Sequence, residues 1–251
     1  MVEFTFKKEK EFSMKTKLSI IIPNYNELEN IERGVLDEVN KFLKKTLFSW
    51  EVIISDDGST DGSRDLVENF VKNHKGFRLL KNTHGGKAHA VWQGIKSAKG
   101  EIILFTDMDQ STPLSEVKKL LSWYHKGFDV VFGSRGSARS NFPWYRKLMS
   151  FGFRVVRQTF LLRSVSDTQC GFKSMKTKVA KEIFPRLSVL NKKSKTSGWN
   201  VSAFDVELLF LAEKKGYQLK EVDVSWQDED ISTSKGKNFI KESTDMLKQI
   251  S

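Results

Sequence analysis

Residues 101–110 read EIILFTDMDQ, an apolar run that ends in two closely spaced aspartates. Residues 51–57 read EVIISDD and end in the same way. In an α/β sheet, ligands collect at the carboxyl ends of the strands, so acids from these two stretches can converge on one site. The two stretches therefore predict an α/β fold with a ligand site at one edge of its sheet.

Asp107 and Asp109 are the candidate metal ligands. Strand alternation sends their side chains to one side of the chain and the side chain of Met108 to the other. Carboxylates are hard oxygen ligands for Mg²⁺ or Mn²⁺, and such an ion can hold a diphosphate. We expect Gln110 to add a ligand or to bond a metal-bound water. These residues indicate an enzyme that handles a nucleotide, and the alternative is an exposed acidic turn.

Apolar runs alternate with helical stretches along the first half of the chain. Strands are predicted at 18–22, 51–55, 77–80, 101–106 and 129–132. Helices are predicted from about 26 to 47, at 63–74, at 87–98 and after Pro113. This alternation is typical of βαβ units and predicts a mainly parallel central sheet with helices on both faces. Farther along, we expect a helix over 204–215, a strand over 219–226 and a last amphipathic helix over 236–251.

Composition narrows the class of protein. The chain has 251 residues, of which 39% are hydrophobic, enough for one large domain or for one and a half domains. Its one cysteine, Cys170, excludes an intramolecular disulfide framework. No run reaches the roughly 18 apolar residues of a membrane span, and the start lacks the apolar core of a signal peptide, so we expect a cytoplasmic protein. The net charge of +11 predicts an anionic partner: nucleic acid, nucleotide or a membrane surface.

Six short stretches together resemble a known family. Residues 21–27 (IIPNYNE), 56–59 (DDGS) and 107–109 (DMD) resemble the family 2 glycosyltransferases with the GT-A fold, which is Rossmann-like. Residues 133–135 (GSR), 167–173 (DTQCGFK) and 203–209 (AFDVELL) resemble the dolichyl-phosphate β-glucosyltransferases within that family. The dolichyl-phosphate mannose synthases are similar. The resemblance covers about residues 18–240.

The resemblance implies an inverting enzyme that moves a hexose onto a polyprenyl phosphate. UDP-glucose is the favoured donor, and GDP-mannose is the alternative donor. A glycan or a protein is the alternative acceptor. A different class is a catalytically silent nucleotide-sugar sensor or scaffold. Nucleic-acid binding, which the charge also suggests, has no supporting motif. The implied organisation is a charged tail over 1–17, a nucleotide-sugar half over 18–110, an acceptor half over 111–240 and the last helix over 236–251.

The resemblance also assigns residues to the nucleotide sugar. Pro23, Tyr25 and Glu27 match family positions around the base and ribose, where Tyr25 can stack and Glu27 can accept ribose hydroxyl bonds. The alternative for them is a strand-to-helix turn with a capping acid. A second set is assigned to the same donor: Asp56, Asp57, Lys87, Asp107 and Met108. For Asp56 and Asp57 the alternative is an Asx-turn, and for Lys87 a solvated loop lysine.

Four residues are assigned to the acceptor side. Arg135 and Arg146 match arginines that bind the acceptor phosphate, and the guanidinium fork suits phosphate geometry. Ser150 lies one helical turn after Arg146. Asp205 is implied near the sugar and acceptor, with favourable helix-dipole placement as the alternative. We take Asp109, Arg135, Arg146 and Asp205 as the catalytic set.

Residues 141–163 form an aromatic and basic stretch with helical spacing. Rings at the acyl boundary and cations at lipid phosphates would hold such a helix in a membrane interface. We therefore expect peripheral contact with an anionic membrane from the cytoplasmic side. Core packing of the same aromatics and membrane-facing charge for Arg146 are the alternatives.

Overall fold

The computed structural model describes residues 17–136, 165–191 and 204–229. Its strands are β1 Lys17–Asn24, β2 Ser49–Asp56, β3 Phe77–Lys81, β4 Ile102–Phe105, β5 Val130–Ser134, β6 Lys173–Lys176 and β7 Leu219–Asp223. They form one seven-stranded sheet in the order β3-β2-β1-β4-β6-β5-β7. All neighbouring pairs are parallel except the two that involve β6. The predicted mainly parallel α/β sheet is confirmed.

The helices follow the strands along the chain. They are α1 Leu28–Glu32, α2 Val35–Leu43, α3 Ser63–Asn73, α4 Lys87–Ser97, α5 Val117–Leu121, α6 Thr177–Ile183, α7 Ser188–Asn191 and α8 Phe204–Lys214. Short 3-10 turns cover Leu114–Glu116, Tyr124–Lys126 and Phe184–Arg186.

Helices cover both faces of the sheet, as predicted. Ile20 and Ile22 of β1 belong to one buried cluster, to which α2, α3 and α5 contribute. Ile21 belongs to the other, with residues of α4, α6 and α8. Successive side chains of a strand point to opposite faces, so an apolar strand such as β1 needs a helical layer on each side. Gly94 lets α4 approach β1, because a Cβ there would lie 2.5 Å from Ile21 Cγ2.

The strand expected over 219–226 ends at Asp223 as β7, and two further local features differ from the prediction. The single helix expected from about 26 to 47 is divided into α1 and α2, because Gly34 adopts φ +91° between them. A positive φ cannot continue a right-handed helix. The second difference is β6, which the sequence did not predict. It pairs antiparallel with β4, with Lys173 opposite Phe105, and so carries residues 167–173 to the aspartate loop.

Several predictions lie outside the described residues. They concern most of the tail over 1–17, the stretch 141–163 with Arg146 and Ser150, and the last helix over 236–251. None of the helices in the described ranges is long and apolar enough to span a bilayer.

Candidate functional site

Asp107 follows β4 at the carboxyl edge of the sheet. Its Oδ1 lies 2.5 Å from Nζ of Lys87, the first residue of α4. Its Oδ2 packs against the backbone of Gly171, where any Cβ would clash with that oxygen. The Met108 side chain is 1% exposed and belongs to the core. Because β4 ends at Phe105, the alternation expected over residues 107–109 stays a prediction. The buried Met108 side chain leaves only its backbone for contact with a ligand.

Asp109 and Gln110 continue the same loop. Ser111 N donates to Asp109 Oδ1 at 2.9 Å, and Gln110 Nε2 donates to the Asp107 carbonyl at 2.7 Å. The other amide atom, Gln110 Oε1, is buried and has no hydrogen-bond partner among the described residues. Gln110 also has φ +52°, which is uncommon for a residue other than glycine. The loop thus presents two carboxylates and one unsatisfied amide oxygen.

The side-chain oxygens of Asp107, Asp109 and Gln110 satisfy only part of the coordination that a hard divalent cation needs. Carboxylate and amide oxygens are ligands that Mg²⁺ and Mn²⁺ accept. Across the described ranges, however, no group of three or more His, Cys, Asp or Glu side chains could hold a metal ion. A cation at Asp107, Asp109 and Gln110 therefore needs further oxygens from a ligand or water, as expected of a site that binds a metal together with a diphosphate.

Lys87 carries a fixed positive charge at this loop. Burial lowers its pKa, but the carboxylates of Asp107, Asp205 and Asp109 raise it by more, so the net pKa lies above its usual value. Lys87 is therefore protonated throughout the physiological pH range. An ammonium so close to several carboxylates can also bind a diphosphate.

Asp205 reaches the same cluster from the start of α8. Its Oδ1 lies 2.8 Å from Nζ of Lys173, whose side chain is fully buried. Lys173 also donates to the Cys170 carbonyl, and its Nζ lies 5.9 Å from the Phe105 ring centre. Lys173 belongs to the stretch 167–173 that carries the family resemblance, but its pairing with Asp205 is not among the predictions from the sequence. Glu207, two residues after Asp205, instead accepts bonds from Ser188 on α7.

Asp56 is fully buried at the end of β2 and is engaged by neighbouring protein groups. Its Oδ1 accepts a hydrogen bond from Asn24 Nδ2 at 2.7 Å. Its Oδ2 accepts bonds from Arg64 Nε at 2.7 Å and from Gly58 N at 3.1 Å. The bond from Gly58 N is the Asx-turn contact expected as the alternative for Asp56, and the other two bonds tie this aspartate to β1 and α3.

Asp57 is also fully buried, and it holds the loop before α4. Its two oxygens accept bonds from Gly85 N at 2.9 Å and Gly86 N at 2.8 Å. The His84 Nδ1 atom lies 2.8 Å from Asp57 Oδ2. Asp57 therefore ties the end of β2 to the loop that precedes Lys87 and α4.

Tyr25 stacks on His84, with ring centres 4.5 Å apart and planes at 24°. The family resemblance predicts that Tyr25 stacks on a base, and it does not predict the contact with His84. Pro23 is buried in β1 opposite Ser55. Glu27 is 4% exposed and accepts a hydrogen bond from Asn30 Nδ2 at 2.7 Å. The structure thus brings Tyr25 beside the Asp57 loop, while Glu27 faces α1.

Arg135 follows β5 and forms a bidentate pair with Asp167. The Nε and Nη2 atoms lie 2.8 and 2.9 Å from the two carboxylate oxygens, and the Arg135 backbone amide adds a third bond at 3.0 Å. Burial lowers the pKa of Arg135, and the Asp167 carboxylate raises it by more. The guanidinium is therefore charged and fixed in orientation. Asp167 lies in the stretch 167–173 that carries the family resemblance, but residue spacing does not predict that it pairs with Arg135.

The sequence and fold have clear relatives. Residues 19–184 match the profile of the family described as glycosyl transferase family 2. A dolichyl-phosphate β-glucosyltransferase of Dictyostelium discoideum is 36% identical over 234 residues, covering 86% of this chain and 68% of that protein. The enzyme of the same name from Saccharomyces cerevisiae is 34% identical over 237 residues, with 86% and 68% covered.

Solved structures share the fold. Mannosyl-3-phosphoglycerate synthase from Rubrobacter xylanophilus aligns with a TM-score of 0.66 at 13% identity, covering 96% of this chain and 75% of that one. A structure of glucosyl-3-phosphoglycerate synthase from Mycobacterium tuberculosis, in complex with Mn²⁺, UDP-glucose and phosphoglyceric acid, aligns with a TM-score of 0.61 at 17% identity, with 96% and 79% covered. These likenesses bear on the fold alone and agree with the predicted GT-A arrangement.

The family match spans most of the sheet and includes both aspartate stretches that decided the fold. The two relatives exceed 30% identity over more than two thirds of their own length. The chain belongs to glycosyl transferase family 2.

Proposed function

We propose that this chain transfers glucose from UDP-glucose to a polyprenyl phosphate of the dolichyl type. One observation supports this most: two metal-ligand candidates, Asp107 and Asp109, lie beside Lys87 at the carboxyl edge of the sheet. That edge is where α/β folds bind nucleotides. The names of the relatives supply the sugar and the acceptor.

The donor diphosphate needs positive charge at its leaving oxygen. We assign Asp107, Asp109 and Gln110 as the protein ligands of Mg²⁺ or Mn²⁺, which when bound neutralises the diphosphate as it leaves. Crystal structures of glucosyl-3-phosphoglycerate synthase, which shares the fold, contain Mn²⁺ together with UDP or UDP-glucose, and this supports a divalent ion here. Lys87 supplies a second positive charge.

The base and ribose of the donor belong, in this proposal, beside the carboxyl ends of β1 and β2. Tyr25 and its stacking partner His84 offer an aromatic surface there. Asp56 and Asp57 act by holding the loops that shape this surface, as their internal hydrogen bonds indicate. Glu27 and Pro23 shape the turn after β1.

The acceptor needs no strong base. A phosphate monoester is largely dianionic near neutral pH, because its second pKa is about 6. Its oxygen attacks the anomeric carbon, a new C–O bond forms, and the bond to the diphosphate breaks with its electron pair going to UDP. One in-line displacement inverts the anomeric configuration.

Cationic side chains orient the acceptor phosphate. Arg135, held by Asp167, is the described candidate, and we assign Arg146 and Ser150, which lie outside the described residues, to the same phosphate. Asp205, paired with Lys173, is placed near the sugar. The acceptor also explains the proposed site of action, a peripheral position at the cytoplasmic face of a membrane.

The proposal is tested by incubating the protein with radiolabelled UDP-glucose, GDP-mannose or UDP-galactose and a polyprenyl phosphate, followed by lipid extraction. We expect label in the lipid phase only with UDP-glucose. Label from GDP-mannose would overturn the donor assignment. Label that stays in the aqueous phase on an added glycan would overturn the acceptor assignment.

A further inference from the structure

Residues 224–229, which we call the strap, run beside the loop that carries Asp107 and Asp109. Four backbone amides of the strap donate hydrogen bonds to other segments of the protein. Val224 N donates to Ser134 O at 3.0 Å and Ser225 N to Glu116 Oε2 at 3.0 Å. Gln227 N donates to Ser111 O at 2.9 Å and Glu229 N to Ser111 Oγ at 3.2 Å. The strap is therefore fixed to the segment directly after Asp109.

Arg33 joins this strap to the aspartate loop. It follows α1, far from both in sequence. Its Nη1 donates to Glu229 Oε2 at 2.9 Å, and its Nη2 donates to the backbone carbonyl of Asp109. The two side chains are 28% and 40% exposed. An exposed ion pair contributes little to stability by itself, so the bond to the Asp109 carbonyl is the informative contact.

The Asp109 carbonyl is a sensitive point in the loop. It belongs to the peptide that joins Asp109 to Gln110, and Gln110 has φ +52°. A left-handed residue persists only where its surroundings hold it. Arg33 bonds the carbonyl of this peptide, and Ser111 N donates to Asp109 Oδ1 at 2.9 Å. The backbone and the carboxylate of Asp109 are thus held by different partners.

We propose that Arg33 is a positioning residue for the divalent cation, acting through the backbone of Asp109 with Glu229 holding its guanidinium. The inference rests on the proposed metal role of Asp107 and Asp109. A guanidinium fork suits the task because it reaches a carboxylate and a carbonyl at once, whereas an ammonium is a single point charge. Such outer contacts orient ligands before the metal arrives.

The test is direct binding of Mn²⁺ in the presence of UDP, measured from the electron paramagnetic resonance signal of free Mn²⁺. Arg33→Met should weaken binding by about 10-fold, the lower end of what loss of an outer contact costs. Arg33→Lys and Glu229→Gln should each have a smaller effect, because part of the arrangement survives. These two milder variants also serve if Arg33→Met fails to fold, as judged by circular dichroism.

Lys215→Met is the matched control, since the Lys215–Glu182 pair is similarly exposed, at 31% and 40%. It should bind Mn²⁺ as the wild type does. Wild-type binding by folded Arg33→Met, or an equal loss in Lys215→Met, would overturn the role of Arg33. Asp109→Asn separates the two proposals: if it too binds as the wild type does, the metal site itself is wrong and both proposals fall.

Discussion

The Lys87 ammonium and the Asp107 carboxylate are 2.5 Å apart at the carboxyl edge of the sheet. Asp107 is also a proposed metal ligand, so the lysine and the metal compete for the same oxygen. In the proposed complex with metal and diphosphate, Lys87 would bond the diphosphate instead of Asp107. The proposal therefore assigns Lys87 two opposite effects, one on metal affinity and one on turnover.

Replacing Lys87 by Met should separate those effects. Turnover should fall by roughly 100-fold, the usual cost of removing one electrostatic stabiliser of a developing charge. Binding of Mn²⁺ without nucleotide should be as tight as in the wild type or tighter, because Asp107 loses its competing partner. Steady-state kinetics and Mn²⁺ titration measure the two quantities. Unchanged turnover would show that Lys87 does not contact the diphosphate.

Gly171 controls the position of Asp107. A Cβ at residue 171 would overlap Asp107 Oδ2, so Gly171→Ala should displace the carboxylate and abolish measurable Mn²⁺ binding in the presence of UDP. Gly216→Ala is the control, since its Cβ would meet nothing within 4 Å, although φ is +81°. The control should lose about 1 kcal/mol of stability through backbone strain and keep its metal affinity. Normal metal binding by Gly171→Ala would argue against the ligand role of Asp107.

The pair between Lys173 and Asp205 should matter for stability. Lys173→Met leaves a largely buried carboxylate without its partner, and should lower the free energy of unfolding by about 3 kcal/mol. Adding Asp205→Asn should recover part of that loss, because no unpaired charge then remains. Urea unfolding of the single and double variants at neutral pH measures the coupling. Purely additive losses would mean that the two side chains are independent.

Membrane contact is a prediction about the basic and aromatic stretch 141–163, which lies outside the described residues. Each basic side chain near anionic lipid contributes about 1 kcal/mol to the free energy of membrane binding. The Debye length falls to about 3 Å at 1 M salt, so the attraction is screened there. The protein should sediment with anionic vesicles at low salt and be partly released at high salt. Changing Phe142 and Trp144 to Ser should weaken the salt-resistant part. A wild type that ignores such vesicles at every salt concentration contradicts the prediction.

The central strands could be predicted from short apolar runs. Residues 18–22 and 102–105 are buried, and a proline or an aspartate follows closely after each run. β6 escaped prediction because its sequence, KSMK, has two lysines and reads as exposed. Lys173 is nevertheless fully buried, since Asp205 and the Cys170 carbonyl compensate its charge. Tertiary pairing here overrides local pattern.

The candidate site was predictable to a similar extent. Local spacing identified Asp107 and Asp109, and the family resemblance added Lys87 and Asp205, which the structure brings into one cluster. The partners of these residues were not predictable. Arg33 bonds a carbonyl 76 residues away in sequence, and Arg135 bonds Asp167 across 32 residues. Such contacts depend on the topology of the sheet and leave no periodic signal in the sequence.

The most direct measurement compares wild type and Asp109→Asn in transferring radiolabelled glucose from UDP-glucose to a polyprenyl phosphate, with Mn²⁺ and with excess chelator. The account predicts lipid-extractable label only for the wild type with Mn²⁺, while circular dichroism shows both proteins folded. Equal label from Asp109→Asn, or undiminished label in chelator, would contradict a metal-dependent glucosyltransferase centred on this loop.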